Sequence, residues 1–159
     1  MGHQHVEATA WSSAPPAAVY QLLVDGASWP TWSGHDKVEI VERGEGDGDG
    51  VGAVRVLHRG RVRSRERIVE LVPERRLVYE LVGGLPLRDY RATVDLTPER
   101  GGTTIRWSSS FRAKMPGTGW LYRAVLDRFI GQAARALADR AAEVAAAGGS
   151  AGGDGPASG

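Results

Sequence analysis

Between Val38 and Ala113 the sequence alternates apolar and polar residues with a period of two, and turns rich in glycine or proline interrupt the alternation at short intervals. Successive strand residues point to opposite faces, so this pattern is typical of strands with one buried and one solvated face. It predicts six strands, at residues 38–45, 52–58, 61–72, 76–82, 88–96 and 103–113. Because short turns join consecutive strands, we expect an antiparallel meander.

A further strand and two short helices are predicted before this meander. Residues 3–11 alternate in the same way and form the first strand. Two serines and two prolines follow, and they suit the start of a helix over 17–24, because the amides of a first turn need no intrahelical acceptor. A second short turn covers 27–32, where the sequence Trp-Pro-Thr-Trp ends it and places two indoles three residues apart.

One long helix is predicted at the C-terminal end. Residues 120–146 contain no proline and a single glycine, and apolar residues recur there every four positions, which places them on one face of a helix of about seven turns. Residues 148–159 contain only Gly, Ser, Ala, Asp and Pro, which bury too little apolar surface to fold. We therefore expect one α+β domain over 1–147, a seven-stranded curved antiparallel sheet wrapped around the long helix, and a disordered tail.

The composition limits the classes of function. Twenty Lys and Arg balance nineteen Asp and Glu, for a net charge of +1, so no chain-wide field attracts nucleic acid or an anionic membrane. Cysteine is absent, which excludes disulfides, thiol nucleophiles and cysteine-bound metals. No segment has the pattern of a secretory signal or the roughly 18 consecutive apolar residues of a spanning helix. We expect a cytoplasmic protein with no nucleic acid partner and no stable membrane insertion.

No cofactor or metal is expected either. The sequence contains no Gly-x-Ser-x-Gly elbow and no Walker loop. The segment 44–50 has the spaced acids of a calcium loop, but Val51 and His58 occupy positions where calcium needs oxygen ligands. His3 and His5 share one strand face without a third ligand.

The alternation also predicts which aromatic side chains face the interior of the sheet. Tyr79 lies in phase with the apolar residues of its strand, as do Tyr90, Trp107 and Phe111 in theirs. Large rings on one concave surface are typical of the wall of a small-molecule site. Each ring taken singly also fits an ordinary core, and a buried tyrosine fits a core when its hydroxyl is hydrogen-bonded.

Three polar residues share this predicted inner face, namely His58, Ser64 and Glu66. Glu66 is the anomaly, because a carboxylate on an apolar face must be neutralised, hydrogen-bonded or in contact with water. A cavity that holds water or ligand meets this condition. A structural ion pair with an inward arginine or with His58 meets it as well, and both interpretations stay open.

Five segments and the order of elements carry a family resemblance. The segments are Ser-Ala-Pro-Pro-Ala-Ala-Val-Tyr at 13–20, Trp-Pro-Thr-Trp at 29–32, Glu-Arg-Ile-Val-Glu-Leu-Val-Pro at 66–73, Arg-Leu-Val-Tyr at 76–79 and Gly-Thr-Thr-Ile-Arg-Trp at 102–107. To about residue 146 the chain resembles the SRPBCC superfamily, the START-like helix-grip proteins, in particular its polyketide cyclase/dehydrase and lipid-transport branch. The resemblance implies a deep cavity between sheet and terminal helix, roofed by the two short helices, and ligands such as lipids or polyketides. It carries over no catalytic residue by position.

The leading hypothesis is a protein that binds a small hydrophobic molecule, such as a lipid or polyketide. The predicted walls are aromatic and the polarity comes from the three inner-face residues, a usual make-up for such sites. The predicted ligand-binding residues are Trp29, Trp32, His58, Ser64, Glu66, Tyr79, Tyr90, Trp107, Phe111, Trp120 and Phe129. The sequence leaves the oligomeric state open.

A cofactor-independent cyclase or dehydratase is the second hypothesis. Glu66 or His58 would abstract an α-proton as general base. The hydroxyl of Tyr79 or Tyr90 would stabilise the enolate or protonate its oxygen.

An interaction module is the third hypothesis. Four arginines, Arg61, Arg63, Arg65 and Arg67, form an outward arginine stripe on one strand. Such a stripe could contact RNA or a protein partner. Alternatively, it is a solvated sheet face that pairs with Glu80 on the next strand.

Overall fold

The computed structural model describes residues 3–46 and 48–150, and side chains to residue 148. Its elements in chain order are β1 (Gln4–Ser12), α1 (Pro16–Val24), a short 3₁₀ helix (Gly26–Thr31), β2 (Lys37–Glu42), β3 (Val54–Arg59), β4 (Val62–Val72), β5 (Arg76–Gly83), β6 (Leu87–Glu99), β7 (Gly102–Ala113) and α2 (Gly119–Ser150). The predicted α+β fold, with two short helices after the first strand, is confirmed.

The seven strands form one antiparallel sheet in the order β1-β7-β6-β5-β4-β3-β2. Strands β2 to β7 are joined as consecutive neighbours, which is the predicted meander. Only β1 leaves this order, because it pairs with β7 along a register that runs from Gln4 opposite Phe111 to Ser12 opposite Thr103. The first and last strands are therefore adjacent, and β1 and β2 are the two edges.

Helix α2 packs on one end of the sheet, against β1 and β7, and touches α1. Its buried face consists of small and branched side chains between Ile130 and Ala141. The Ser12 hydroxyl donates to the carbonyl of Ala138 at 2.7 Å, and Thr103 donates to the carbonyl of Ala14 at 2.8 Å. These buried bonds attach the helix and the β1–α1 turn to the sheet.

The first two turns of α2 differ from the sequence prediction. Leu121 and Val125 belong to its predicted buried stripe, yet they are 46% and 57% exposed. The stripe continues in sequence, but these two side chains are not packed against the sheet. Helix α2 also continues to Ser150, into the segment predicted as a tail. The rest of that tail, 151–159, lies outside the described residues.

Helix α2 should stabilise the fold mainly through the part that lies on the sheet. Replacing the fully buried Leu137 by Ala removes packed atoms and leaves a cavity, so we expect a loss of about 3 kcal/mol in the free energy of unfolding. Urea denaturation measures this change. The matched control is Leu121→Ala on the exposed turns of the same helix, expected within about 0.5 kcal/mol of wild type. Equal losses in both variants would contradict this account of how the helix packs.

Candidate functional site

A cavity of about 560 Å³ lies beside α2. Because α2 covers the β1 and β7 end of the sheet, the inner faces of β3 to β6 are closed instead by the 3₁₀ helix, the loop after it and the first turns of α2. The volume of the cavity falls in the range of small-molecule sites. The lining residues are Trp29, Ser33, His35, Leu57, Arg59, Val62, Ser64, Glu66, Tyr79, Leu85, Leu87, Tyr90, Trp107, Tyr122, Val125, Leu126, Arg128, Phe129, Gln132 and Ala133.

The β5–β6 loop is brought over the cavity by a close backbone contact. Gly84 has a φ of 94°, and a Cβ on this residue would overlap the carbonyl of Arg63 on β4. Glycine is therefore required at this turn. The contact places Leu85 and Leu87 among the lining residues.

Two tyrosines and a tryptophan form the buried wall. The Trp107 indole N–H donates to the Tyr79 hydroxyl at 3.2 Å, and the Tyr79 and Tyr90 rings lie 6.2 Å apart. An indole nitrogen only donates, so the Tyr79 oxygen accepts this bond, and the Tyr79 hydroxyl is also hydrogen-bonded to the hydroxyl of Tyr90. Burial, followed by the charge of Tyr90, raises the pKa of Tyr79 well above its ordinary value. Tyr79 is therefore a permanent hydrogen-bond donor at neutral pH.

Glu66 faces the cavity, as the alternation predicts. Burial raises the pKa of its carboxyl from 4.5 to about 7, and the positive charge of Arg55 opposes this rise. Arg55 lies directly opposite Glu66 in the β3–β4 register. Its guanidinium is already used by Asp49, at 2.7 Å from Nε, and by the carbonyls of Leu23 and Val24. Glu66 therefore sits near an inward arginine whose ion-pair partner is Asp49.

The predicted phase of β3 was wrong, and this removes His58 from the cavity. Leu57 pairs with Ser64 and lines the cavity, so the adjacent His58 lies on the opposite face. Its Nε2 contacts the Glu39 carboxylate at 3.1 Å, which is the partner that the sequence could not identify. The phase opposite to Leu57 contains Val54 and Val56, whereas two arginines share the phase of Leu57, so the alternation in β3 favours the wrong face.

His35 is the imidazole that lines the cavity instead. Its Nδ1 lies 2.7 Å from the Ser33 hydroxyl, which in turn donates to the carbonyl of Trp29 at 2.7 Å. Because this hydroxyl has one proton and donates it to the carbonyl, the pattern assigns the hydrogen of His35 to Nδ1 and leaves an acceptor lone pair on Nε2. Burial, with the charge of Arg59 second, lowers the pKa of His35 to about 4.

Sequence reasoning missed His35 because it lies in the loop between the 3₁₀ helix and β2, outside any periodic segment. The rings of Phe129 and Trp29 pack against it, at centroid distances of 5.6 Å and 6.2 Å. The one available signal was its position three residues after the Trp-Pro-Thr-Trp segment. That segment already contributed Trp29 to the predicted site.

The predicted ligand-binding residues divide into two groups. The cavity is lined by Trp29, Ser64, Glu66, Tyr79, Tyr90, Trp107 and Phe129. Trp32 packs behind Trp29 at 4.9 Å between ring centroids, and Phe111 is fully buried behind Tyr90 at 6.3 Å. Trp120 is 70% exposed and lies at a separate surface concavity beside Gln4. These three residues support the cavity wall or lie away from it.

Three arginines of the stripe lie on the outer face of β4 and the fourth, Arg61, lies in the turn just before it; all four side chains are exposed. Arg67 is directly opposite Glu80 in the β4–β5 register, as predicted. The Glu80 carboxylate, however, accepts from Arg91 on β6 at 3.0 Å. The expected pairing of the stripe with Glu80 is thus replaced by a pair between β5 and β6.

The sequence of this chain was compared with models of known protein families and with curated proteins. A family model described as polyketide cyclase / dehydrase and lipid transport matches residues 3–146. Comparison with curated protein sequences gave no match.

Several solved structures share the fold. An aromatase/cyclase, Zhui, from Streptomyces sp. R1128 is 22% identical, with 92% of this chain and 99% of that chain covered and a TM-score of 0.79. A START superfamily protein from Mycobacterium smegmatis is 16% identical (90% and 99% covered, TM-score 0.76), and a protein from Thermobifida fusca is 24% identical (88% and 94% covered, TM-score 0.72). At these identities the likeness concerns the fold alone.

The raised pKa of Glu66 has a consequence for stability. Between pH 4.5 and 7 the folded state binds a proton that the unfolded state releases, so the contribution of Glu66 is present below this window and is lost as pH rises through it. His35 acts in the opposite direction below pH 6.5, because its folded-state pKa is lowered. We expect the unfolding free energy of wild type, relative to Glu66→Gln, to fall between pH 5 and pH 8. The fall should be on the order of 3 kcal/mol at most, since cavity water screens the charge.

Urea denaturation of both proteins at each pH measures this difference, and the His35 effect cancels in the comparison. The matched control is Glu39→Gln, which removes an exposed carboxylate whose pKa is lowered by its hydrogen bonds to Lys37 and His58. The unfolding free energy of wild type relative to Glu39→Gln should not fall as pH rises. A wild-type to Glu66→Gln difference that is constant from pH 5 to 8 would show that Glu66 titrates normally.

Proposed function

Since the chain belongs to the polyketide cyclase/dehydrase and lipid transport family, and so to the START-like SRPBCC proteins that its sequence resembles, we propose that it binds a small, largely apolar molecule in the cavity beside α2. The observation that carries this proposal is the cavity itself, about 560 Å³ with mainly apolar and aromatic walls. A core that served only stability would be packed without such a space.

The walls explain why an apolar ligand would bind. Trp107 and Tyr79 are nearly inaccessible from outside, and Leu57 and Leu87 are equally buried beside them. Transfer of an apolar ligand against such surfaces stabilises the complex by about 25 cal/mol per Å² buried. The hydroxyl pair of Tyr79 and Tyr90, which has one proton left after their mutual hydrogen bond, and the lone pair of His35 Nε2 would orient one polar group of the ligand.

Filling the cavity should reduce binding. Ala133 is buried on α2 and lines the cavity, so Ala133→Leu places extra methyl groups where a ligand would lie. With the neutral fluorescent probe N-phenyl-1-naphthylamine, we expect affinity to fall about 10-fold or more, because each clash with a packed wall costs about 1–3 kcal/mol. Fluorescence titration measures the affinity.

The matched control is Ala124→Leu, the same change at an exposed position of the same helix. It should bind the probe as wild type does. Native mass spectrometry of the freshly purified protein gives an independent measurement, with a retained small molecule expected in wild type and reduced in Ala133→Leu. Wild-type affinity in a folded Ala133→Leu protein would overturn the proposed site.

A second candidate function, a cyclase or dehydratase, is favoured by the combination of Glu66 and Tyr79. A carboxyl with a pKa of about 7 is both a stronger base than an ordinary carboxylate and present in that form at neutral pH. The hydroxyls of Tyr79 and Tyr90 both keep their protons, and because one proton is used between the two hydroxyls, the other is available for donation. A base and an oxyanion donor on one cavity wall are the two groups that an aldol condensation needs.

The reaction can be written with these groups alone. The Glu66 carboxylate takes an α-proton, and the enolate oxygen accepts a hydrogen bond from the hydroxyl pair of Tyr79 and Tyr90. The α-carbon attacks a second carbonyl of the same molecule, which forms the ring bond, and the new alkoxide takes the proton back from Glu66. Loss of the remaining α-proton and the hydroxyl as water gives a cyclic enone. His35 is a second cavity base, and His58 is outside the cavity.

This candidate is tested with heptane-2,6-dione, a 1,5-diketone whose cyclisation to an enone is followed by ultraviolet absorbance. We expect the enzymatic rate to rise with pH through about 7, as Glu66 loses its proton. Glu66→Gln should lower the rate about 100-fold or more, the usual contribution of a general base. His58→Gln is the matched control and should leave the rate unchanged. A rate that is insensitive to Glu66→Gln would remove Glu66 from the mechanism.

A further inference from the structure

The mouth of the cavity differs chemically from its interior. Five lining residues are also exposed, and they therefore mark the place where the cavity meets solvent: Arg59, Val62, Val125, Arg128 and Gln132. Two of the five are arginines, one at the end of β3 and one on α2. The cavity is thus entered between two permanent positive charges on opposite walls.

These guanidinium groups have no acidic partner of their own. In the described parts of the chain, the ion pairs of other arginines link Arg55 to Asp49 and Arg106 to Glu7, and neither Arg59 nor Arg128 forms one. Asp36 is the acid near Arg59, but its carboxylate accepts from the Gly60 amide at 2.7 Å. Exposed arginines that line an otherwise uncharged opening are positioned for a negative charge that comes with the ligand.

Arg59 is held at the opening rather than free in solvent. Its guanidinium carbon lies 5.0 Å from the centre of the Phe129 ring, within the range of a cation–π contact. The same charge acts on His35, where it is the second cause of the lowered pKa. Arg59 is therefore electrostatically coupled to the cavity, although its side chain is exposed.

Among the lining residues, the buried ones include no cation that would compete for an anion, and the inward Arg55 is paired with Asp49. His35 is neutral at physiological pH, the tyrosines stay protonated, and Glu66 is the interior acid. An anionic group would be repelled by the Glu66 carboxylate and attracted at the mouth. A ligand that carries a charge would consequently enter with its apolar part first.

Building on the proposed binding function, we infer that the ligand is an amphiphile whose apolar body fills the cavity and whose anionic head, a carboxylate or a phosphate, is bound at the mouth by Arg59 and Arg128. Bidentate contacts from a guanidinium suit both heads. The charge that the arginines supply also excludes cationic amphiphiles of the same length.

The test compares dodecanoate, dodecyl phosphate and dodecan-1-ol, which share one chain and differ in the head. Each competes with N-phenyl-1-naphthylamine below its micelle concentration. In wild type we expect both anions to bind about 10-fold more tightly than the alcohol, and this preference to shrink in about 0.5 M salt. In the double variant Arg59→Gln/Arg128→Gln the preference should disappear while the affinity for the alcohol is kept.

The control is Arg61→Gln, which removes an exposed arginine of the stripe that does not line the cavity. It should retain the full preference for anions. The relative affinities of the two anions then identify the head that the mouth prefers. Equal binding of alcohol and anions in wild type, or a preference that survives in the double variant, would overturn this inference and leave the binding function intact. Failure of all three ligands and of the naphthylamine would overturn the binding function itself.

Discussion

The architecture depends on the way in which α2 packs against one end of the sheet. The buried stretch of the helix is rich in alanine, so its backbone comes close enough for the carbonyl of Ala138 to accept from Ser12 on β1. The helix therefore lies on β1 and β7 and does not reach across the inner faces of β3 to β6. What remains between helix and sheet is the cavity. The site exists because a seven-stranded sheet is wider than one helix.

The polar groups of this interior are tolerated because the surroundings of each one either pair its charge or keep it neutral. Arg55 has an acid and two backbone carbonyls, so its charge is fully satisfied. His35 is bonded through Nδ1 to Ser33 and stays neutral. Glu66 has the least support, and its carboxyl is pushed toward the protonated form. A carboxyl in that condition is costly for stability as pH rises, and such cost is common at sites that bind or transform a ligand.

Binding and catalysis would use the same geometry in this cavity and would differ in the use of one proton. If Glu66 and Tyr79 only donate and accept hydrogen bonds, they orient a polar group of an apolar ligand. If a reactive α-carbon lies beside Glu66, the same two groups move its proton and stabilise the enolate. Before either event, the charges of Arg59 and Arg128 at the mouth would determine which molecules enter the cavity and with which end first.

The seven strands, the two short helices and the long terminal helix were determined by the sequence itself, because alternation and helical spacing record which side of each element avoids water. The inward positions of Glu66, Tyr79, Tyr90 and Trp107 followed from the same pattern. Tertiary structure decided the rest. The outward phase of β3 contains Val54 and Val56 and is the more apolar one, so only pairing with β4 placed Arg55 and Leu57 inside and His58 outside. His35 lies in a loop without periodicity, and its neutral state results from burial among rings distant in sequence. The pairing of Arg59 and Arg128 across one mouth has no local signal, because it depends on where β3 ends relative to a helix that begins sixty residues later.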